Sequence, residues 1–205
     1  MLQGAKCRGR VWVEFKRREA CMVAQVVLFL VVGLPAAGKT TRAREIERDH
    51  RALRLSPDEW MIPLLGESEA GGKRDILEGR LIWVALRALQ AGVNVVLDFG
   101  LWGRDERSAL VWLARAMGGH TCVLYLPVDE ATQLARIRAR WLQAPDTTFA
   151  ISEQDLAGWR AHFEAPTANE LAGELPPPPP AAYATWSAWA SARWPSLPLL
   201  DAVRF

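Results

Sequence analysis

Apolar residues in the middle of the chain are concentrated in short segments at 26–32, 53–55, 93–97 and 121–126. The first segment is β-branched, aliphatic and aromatic throughout and lacks polar alternation, which is typical of a strand that is covered on both faces. We therefore predict four strands of a buried sheet.

Between and after these runs, the spacing of polar and apolar residues predicts helices at 39–50, 73–91, 104–117 and 129–141. The helix at 73–91 is followed by Gly92, a residue type that commonly ends helices. Strands that alternate with helices indicate a parallel sheet. The pattern predicts an α/β fold of three layers, with a central parallel sheet and helices on both of its faces.

The pattern changes beyond residue 145. A serine followed by acidic residues at 152–155 predicts the start of a helix that ends near residue 164. Five consecutive prolines at 176–180 predict a stiff, extended spacer. The tryptophan-rich segment 181–205 is expected to pack back on the domain, and 197–200 is a candidate for a last strand.

Charge is distributed unevenly over the 205 residues, although the net charge is only +2. Residues 1–21 contain six basic and two acidic side chains, a local net charge of +4, so the remainder is close to −2. We expect this basic segment to lie outside the core of a single domain that spans 22–205, and Met22 is a candidate for the true start. The charge of that domain gives no indication of nucleic-acid binding.

Two further observations narrow the class of protein. No apolar run reaches the roughly 18 residues that a membrane span requires, and no feature indicates an obligate protein partner. The three cysteines are odd in number and form no C-x-x-C pair, which is typical of a reduced, cytoplasmic protein. Cys122 lies in an apolar run and is expected to be a small core residue.

The stretch VVLFLVVGLPAAGKTT at 26–41 permits two interpretations. With the basic residues 16–18 before it and the small residues 35–38 within it, the stretch has the outline of a secretory signal. It is also a buried strand leading into G-x-x-x-x-G-K-T, the phosphate-binding P-loop. A signal peptide requires neither Gly-Lys-Thr nor a helix after it, so we favour the P-loop.

The P-loop residues have distinct expected tasks. Glycines allow the tight turn that brings backbone N–H groups around phosphates, and the following helix directs its positive end to them. Lys39 is expected to reach the β- and γ-phosphates of ATP, and the Thr40 hydroxyl to bind Mg²⁺. The predicted nucleotide-binding residues are Gly33, Leu34, Pro35, Ala36, Ala37, Gly38, Lys39, Thr40 and Thr41.

Two acids follow predicted strands at the edge where a parallel sheet binds its ligands. Asp58 could accept a proton from an attacking hydroxyl, with Glu59 as the fallback base and a helix cap or a surface acid as the structural alternatives. Asp98 closes the run at 93–97 and could orient Mg²⁺ or its waters, contact substrate, or cap a turn.

Arginines form a third candidate group. Arg136 and Arg140 are four residues apart and share one helix face, where they could neutralise charge on a transferred phosphoryl group. Arg104 and Arg107 follow the strand that leads to Asp98, and they are candidates either for holding an anionic acceptor or for a solvated helix face.

The P-loop at 33–41, Asp58, Asp98 with the FGLWGR that follows it, and the arginines at 136–140 together resemble the small P-loop kinases. That group includes polynucleotide 5′-kinase, chloramphenicol phosphotransferase and zeta toxin, and the chain is most similar to its predicted bacterial ATP-dependent kinases of unassigned substrate. The resemblance covers residues 26 to about 165. It implies the nucleoside-kinase-like strand order and a helical lid at about 129–165.

The resemblance also implies roles for individual residues. It makes Asp58 the catalytic base, and it places Arg136 and Arg140 in a lid over ATP. Polynucleotide kinases have a basic neighbour and a second aspartate beside the base, whereas this chain reads SPDEW at 56–60. We therefore expect a small-molecule acceptor, such as an antibiotic or a nucleotide sugar, and keep a polynucleotide 5′-kinase and a nucleotide-dependent switch as alternatives.

Overall fold

The computed structural model describes residues 25–66, 70–143 and 153–200. The predictions for the basic segment 1–21, for Met22 and for the helix start at Ser152 lie outside the described residues. Within the described part of the chain, no helix combines the length and the apolar character that crossing a membrane requires.

A four-stranded parallel sheet forms the centre of the domain, and its strands lie in the order β2-β3-β1-β4. The strands are β1 (Val27–Val32), β2 (Leu53–Leu55), β3 (Val95–Gly100) and β4 (His120–Tyr125). The central position of β1 confirms the prediction from its unbroken apolar run, because a strand with neighbours on both sides and helices on both faces has no polar surface.

Eight α-helices in the described residues surround this sheet or extend from it. They are α1 (Lys39–His50), α2 (Pro57–Leu65), α3 (Lys73–Gln90), α4 (Arg104–Ala116), α5 (Glu130–Gln143), α6 (Glu153–His162), α7 (Ala168–Leu171) and α8 (Trp186–Arg193).

The side chains of β1 alternate between two cores, which makes the domain three layers thick. Leu28 and Leu30 pack with α3, α4 and α8 on one face of the sheet. Phe29 and Val31 pack with Ala43 and other residues of α1 on the opposite face. The predicted three-layer α/β fold with a parallel sheet is therefore confirmed.

The C-terminal segment completes the larger core. Trp186 and Trp194 are buried against it, and the indole nitrogen of Trp186 donates a hydrogen bond to the Pro177 carbonyl at 2.8 Å. The predicted strand at 197–200 is wrong. The backbone N–H of Leu200 bonds to the Ser187 hydroxyl instead of a neighbouring strand, so these apolar residues fill the core without joining the sheet.

Strand β3 and helix α2 also differ from the sequence prediction. β3 begins at Val95 and continues to Gly100, so Asp98 lies within the strand and not after it. Helix α2 was not predicted. It begins with Pro57, contains Pro63 and leaves several apolar side chains exposed, so it lacks the periodic buried face from which helices are recognised.

Candidate active site

The loop between β1 and α1 has the geometry of a phosphate-binding loop. A Cβ atom on Gly33 would lie 2.8 Å from the Leu126 carbonyl oxygen, so only glycine fits between β1 and the end of β4. Gly38 has a φ of +96°, and no heavy atom lies within 4 Å of the place that a Cβ atom would take there. Glycine is therefore required at this position by the left-handed backbone, and the space above the loop is open to a ligand.

Lys39 is the first residue of α1. Its ammonium group donates a hydrogen bond to the Leu34 carbonyl at 3.0 Å, so the charge lies across the loop. Gly38 occupies the N-cap and has no side chain that could accept the first-turn N–H groups. The positive end of α1 and the lysine charge therefore act on the same space, which suits an anionic ligand such as a phosphate.

Thr40 and Asp98 form a hydrogen-bonded pair beside the loop. The Asp98 side chain is 3% exposed, and its Oδ2 atom lies 3.6 Å from the Arg54 guanidinium without a hydrogen-bond partner among the described residues. Burial raises the pKa of Asp98, against the hydrogen bond from Thr40 and the charges of Lys39 and Arg54.

This donor set fits Mg²⁺. Among the described residues, no three His, Cys, Asp or Glu side chains cluster as a metal site. Mg²⁺ commonly uses only one or two protein oxygens and completes its octahedron with water and phosphate. The Thr40 hydroxyl and Asp98 Oδ2, which pairs with Arg54 but has no hydrogen-bond partner among the described residues, supply the right number and type of atoms.

A cavity of about 750 Å³ adjoins the loop and extends to the helices on the opposite side of the cleft. Asp58 lies on that side in the first turn of α2, where Ser56 and not Asp58 occupies the N-cap. The Asp58 side chain is 74% exposed, and it accepts a hydrogen bond from Arg74 at 2.9 Å. The capping alternative for Asp58 is therefore wrong, because its carboxylate engages a side chain of α3.

Glu59 also lines the cavity but has different partners. Its carboxylate pairs with Arg54 and lies 3.8 Å from the Arg44 guanidinium. Because Arg54 also pairs with Asp98, Glu59 belongs to the ion-pair network at the edge of β2.

Sequence reasoning missed Glu78, a buried carboxylate at the base of the cleft. Its two oxygens accept hydrogen bonds from Arg74 at 3.0 Å and from the indole of Trp194 at 3.1 Å. Arg74 therefore connects Glu78 to Asp58. The pairing of Arg74 with Glu78 could have been predicted from their spacing of four residues on one helix. The hydrogen bond to Trp194 could not, because it joins residues 116 positions apart.

We expect Glu78 to make stability depend on pH. Burial raises the pKa of Glu78 from 4.5 to about 7, against the effect of Arg74 and the indole hydrogen bond. Between these values the folded protein retains a proton that the unfolded chain has lost. The free energy of unfolding should therefore fall as the pH rises through about 7, by on the order of 3 kcal/mol in total.

The measurement is chemical denaturation at pH 5 and pH 8. Glu78→Gln should flatten this fall, whereas Glu130→Gln, an exposed residue of α5, should keep the wild-type slope. Equal pH dependence in wild type and Glu78→Gln would show that Glu78 does not titrate in this range.

Helix α5 docks directly on the phosphate loop. The side chain of Gln133 is buried and donates to the Pro35 carbonyl at 3.0 Å, and Arg136 donates to the Ala36 carbonyl at the same distance. Gln133 was not predicted, because a single glutamine in a helix carries no distinctive pattern. The side chain of Arg140 lies outside the described residues, so its predicted role stays a prediction.

Arg107 does not hold an acceptor and does not lie on a solvated face. The side chain is 1% exposed and is bound by Glu170 at 2.7 Å and by the carbonyls of Leu101 and Trp102. Both sequence interpretations of Arg107 are therefore wrong, because α7 covers this side of α4 with a matching carboxylate.

The phosphate loop after a central first strand, the 2-3-1-4 parallel order and the Thr40–Asp98 pair define a P-loop NTPase with a kinase-like fold. The chain belongs to the AAA domain family AAA_33, whose model matches residues 28–166. This match confirms the resemblance to P-loop kinases, and it includes the loop and Asp58, Asp98 and Arg136.

Three solved structures share this fold. A candidate kinase from Chloroflexus aurantiacus J-10-fl is 22% identical, with 70% of this chain and 82% of that chain covered and a TM-score of 0.56. Chaetomium thermophilum Kti12, in complex with ADP-AlF3, is 20% identical, with coverages of 68% and 81% and a TM-score of 0.55.

A chain of the Pnkp1/Rnl/Hen1 RNA repair complex is 16% identical and has a TM-score of 0.58, with 69% of this chain but only 45% of that chain covered. At these identities the similarity shows the fold, and the chemistry must be argued from the site. No curated protein matches the sequence.

Proposed function

We propose that the protein is an ATP- and Mg²⁺-dependent kinase that transfers the γ-phosphate of ATP to a hydroxyl of a small molecule in the cytoplasm. The observation that carries this proposal is the shared cavity. Lys39, Thr40 and Asp98 line it on one side, and the exposed carboxylate of Asp58 lines it on the other. A nucleotide and a second substrate can therefore meet between them.

On the nucleotide side, the backbone of the loop and the first turn of α1 would hold the phosphates, and Lys39 would move from the Leu34 carbonyl to their oxygens. Thr40 and Asp98 would hold Mg²⁺. The ion would supply positive charge that offsets the negative charge developing on the transferred phosphoryl group. Arg136, which donates to the Ala36 carbonyl, would add positive charge near the same phosphates.

On the acceptor side, Asp58 would accept the proton of the attacking hydroxyl. Its hydrogen bond to Arg74 fixes the orientation of the carboxylate, and Glu78 in turn fixes Arg74. The negative charge of Asp58 also contributes to the raised pKa of Asp98, so the two carboxylates interact across the cavity. The presence of this carboxylate in the same cavity as the phosphate loop supports its role as the proton acceptor.

Removing the Thr40 hydroxyl should act chiefly through Mg²⁺. We expect Thr40→Ala to raise the Mg²⁺ concentration that half-saturates ATP turnover by about 10- to 100-fold, because a ligand and its hydrogen bond to Asp98 are lost together. The measurement is a Mg²⁺ titration at fixed ATP. Thr121→Ala, which removes a threonine side chain outside the cavity, should follow the wild-type curve. An unchanged titration for Thr40→Ala would exclude this hydroxyl as a ligand.

A kinase and a nucleotide-dependent switch differ in the destination of the γ-phosphate. The protein should be incubated with labelled ATP, with and without small-molecule pools and 5′-hydroxyl oligonucleotides. Label in an organic phosphate ester supports the kinase. Release of the label only as inorganic phosphate, at a rate that no acceptor stimulates, would favour the switch.

A further inference from the structure

The half of the cavity that faces the phosphate loop has a distinct charge pattern. We call this region the acceptor half and define it by six charged side chains of α2, α3, α4 and α8: Asp58, Arg74, Asp75, Glu78, Glu106 and Arg193. Glu59 of α2 also lines the cavity but is left out, because it pairs with Arg54 and lies near Arg44. Four of the six are carboxylates and two are guanidinium groups. Acidic groups therefore exceed basic ones where a second substrate would bind.

Each arginine of the acceptor half is shared between two of these carboxylates. Arg74 donates to Asp58 at 2.9 Å and to Glu78 at 3.0 Å. Arg193 lies 2.7 Å from Asp75 and 2.9 Å from Glu106. An anionic acceptor would have to displace a carboxylate to reach either guanidinium, so it would only replace one ion pair with another. The remaining carboxylates would repel it.

The carboxylates keep an excess of negative charge after these pairings. The net charge of the acceptor half is −2 when Glu78 is ionised and −1 when it is protonated. Asp58 is largely exposed to the cavity, and Asp75 is 44% exposed. Both therefore have carboxylate surface that can accept hydrogen bonds from a bound ammonium or hydroxyl group.

Two aromatic side chains also line this cavity. Trp102 and Trp159 line the same cavity, with their ring centroids 5.9 Å apart and an angle of 53° between the rings. The face of an indole attracts cations and packs against C–H groups. Trp159 packs against the cluster that contains Ala36 of the phosphate loop and Ile137 of α5, so the rings lie beside that loop and the preference for a cation rests on the acids of the acceptor half.

We propose that the acceptor is a hydroxylated amine, an alcohol that carries a protonated amino group and no phosphate or carboxylate, such as an amino sugar. In the transfer, the bond between the γ-phosphorus and the β,γ-bridging oxygen breaks as the acceptor oxygen bonds to the γ-phosphorus. The hydroxyl proton passes to Asp58, and ADP leaves. This inference rests on the proposed kinase function, and it argues against the nucleotide sugar and the polynucleotide as acceptors, because both are anionic.

The test separates a bacterial small-molecule extract at pH 7 into cationic, neutral and anionic fractions. Each fraction is incubated with the full-length protein, Mg²⁺ and γ-labelled ATP, and 5′-hydroxyl oligonucleotides are assayed in parallel. We expect label in organic phosphate from the cationic fraction, at least about tenfold above the other samples. Label mainly from the neutral fraction, the anionic fraction or the oligonucleotides would overturn the cationic acceptor while leaving the kinase function in place.

Absence of organic phosphate in every sample, with continued release of inorganic phosphate, would instead overturn the kinase function and this inference with it. A variant then tests the named residues with the acceptor isolated from the active fraction. Asp75→Asn should raise the KM for that acceptor by about tenfold and leave the KM for ATP unchanged. Asp49→Asn, on the exposed end of α1 outside the cavity, is the matched control. An unchanged acceptor KM in Asp75→Asn would overturn the assignment of its carboxylate to cation binding.

Discussion

Lys39→Ala is expected to abolish ATP turnover, with a fall of at least about a hundred- to a thousandfold. The ammonium group lies on the Leu34 carbonyl above the loop, 3.0 Å away, and is placed to reach the β- and γ-phosphates. Alanine removes that charge while keeping the backbone of α1. The loss should therefore appear in catalysis and ATP affinity, and the thermal unfolding temperature should change little.

Lys73→Ala is the matched control for this experiment. Lys73 is exposed at the start of α3 and does not line the cavity, so the variant removes an equal charge without touching the phosphate site. It should retain wild-type turnover. Full activity in Lys39→Ala would show that the site is assigned wrongly, whatever the second substrate is.

The elements of the sheet could be predicted because their signals are local. Helix α1 has the predicted bounds 39–50, since Gly38 before it and Arg51 after it both take left-handed conformations that a regular helix excludes. The apolar run of β1 is explained by burial on both faces. Glycine spacing, a lysine and a threonine between this strand and helix were enough to predict the phosphate loop.

What escaped prediction depends on contacts between distant residues. β3 extends to Gly100 because β1 continues beside it as far as Val32, and the sequence of β3 alone does not show where its partner ends. The strand predicted at 197–200 failed for the converse reason, because its residues have apolar character but no neighbouring strand. Helix α2 brings Asp58 to the cavity, yet its sequence lacks the periodic apolar face from which a helix is predicted.

The acceptor half shows most clearly why contacts between distant residues could not be predicted. Its carboxylates and arginines come from α2, α3, α4 and α8, and the contact between Arg193 and Glu106 joins residues 87 positions apart. Each of these residues by itself resembles an ordinary surface charge. The packing of α8 against α4 helps to bring them into one cavity, so the sequence could not indicate the charge of that cavity.

Asp58 is the residue whose substitution should separate chemistry from binding. The carboxylate lines the cavity opposite the phosphate loop, and its identified contact is the hydrogen bond to Arg74 at 2.9 Å. If it is only one half of an exposed ion pair, it contributes about 0–1 kcal/mol to stability and nothing to turnover. If Asp58 is the base, its replacement removes the group that accepts the proton of the acceptor hydroxyl.

Asp58→Asn keeps the shape of the side chain and an oxygen for Arg74 but removes the proton acceptor, so kcat should fall by about a hundred- to ten-thousand-fold with ATP affinity retained. Glu59→Gln is the matched control, since Glu59 is adjacent and is paired with Arg54. The measurement is kcat and ATP affinity for both variants, with thermal unfolding to show that each is folded. A fall in kcat at position 58 alone supports the base. Wild-type turnover in Asp58→Asn together with a large loss of turnover in Glu59→Gln would assign the general base to Glu59. Unchanged rates in both variants would show that neither acid of α2 is the general base, because an amide cannot accept the proton.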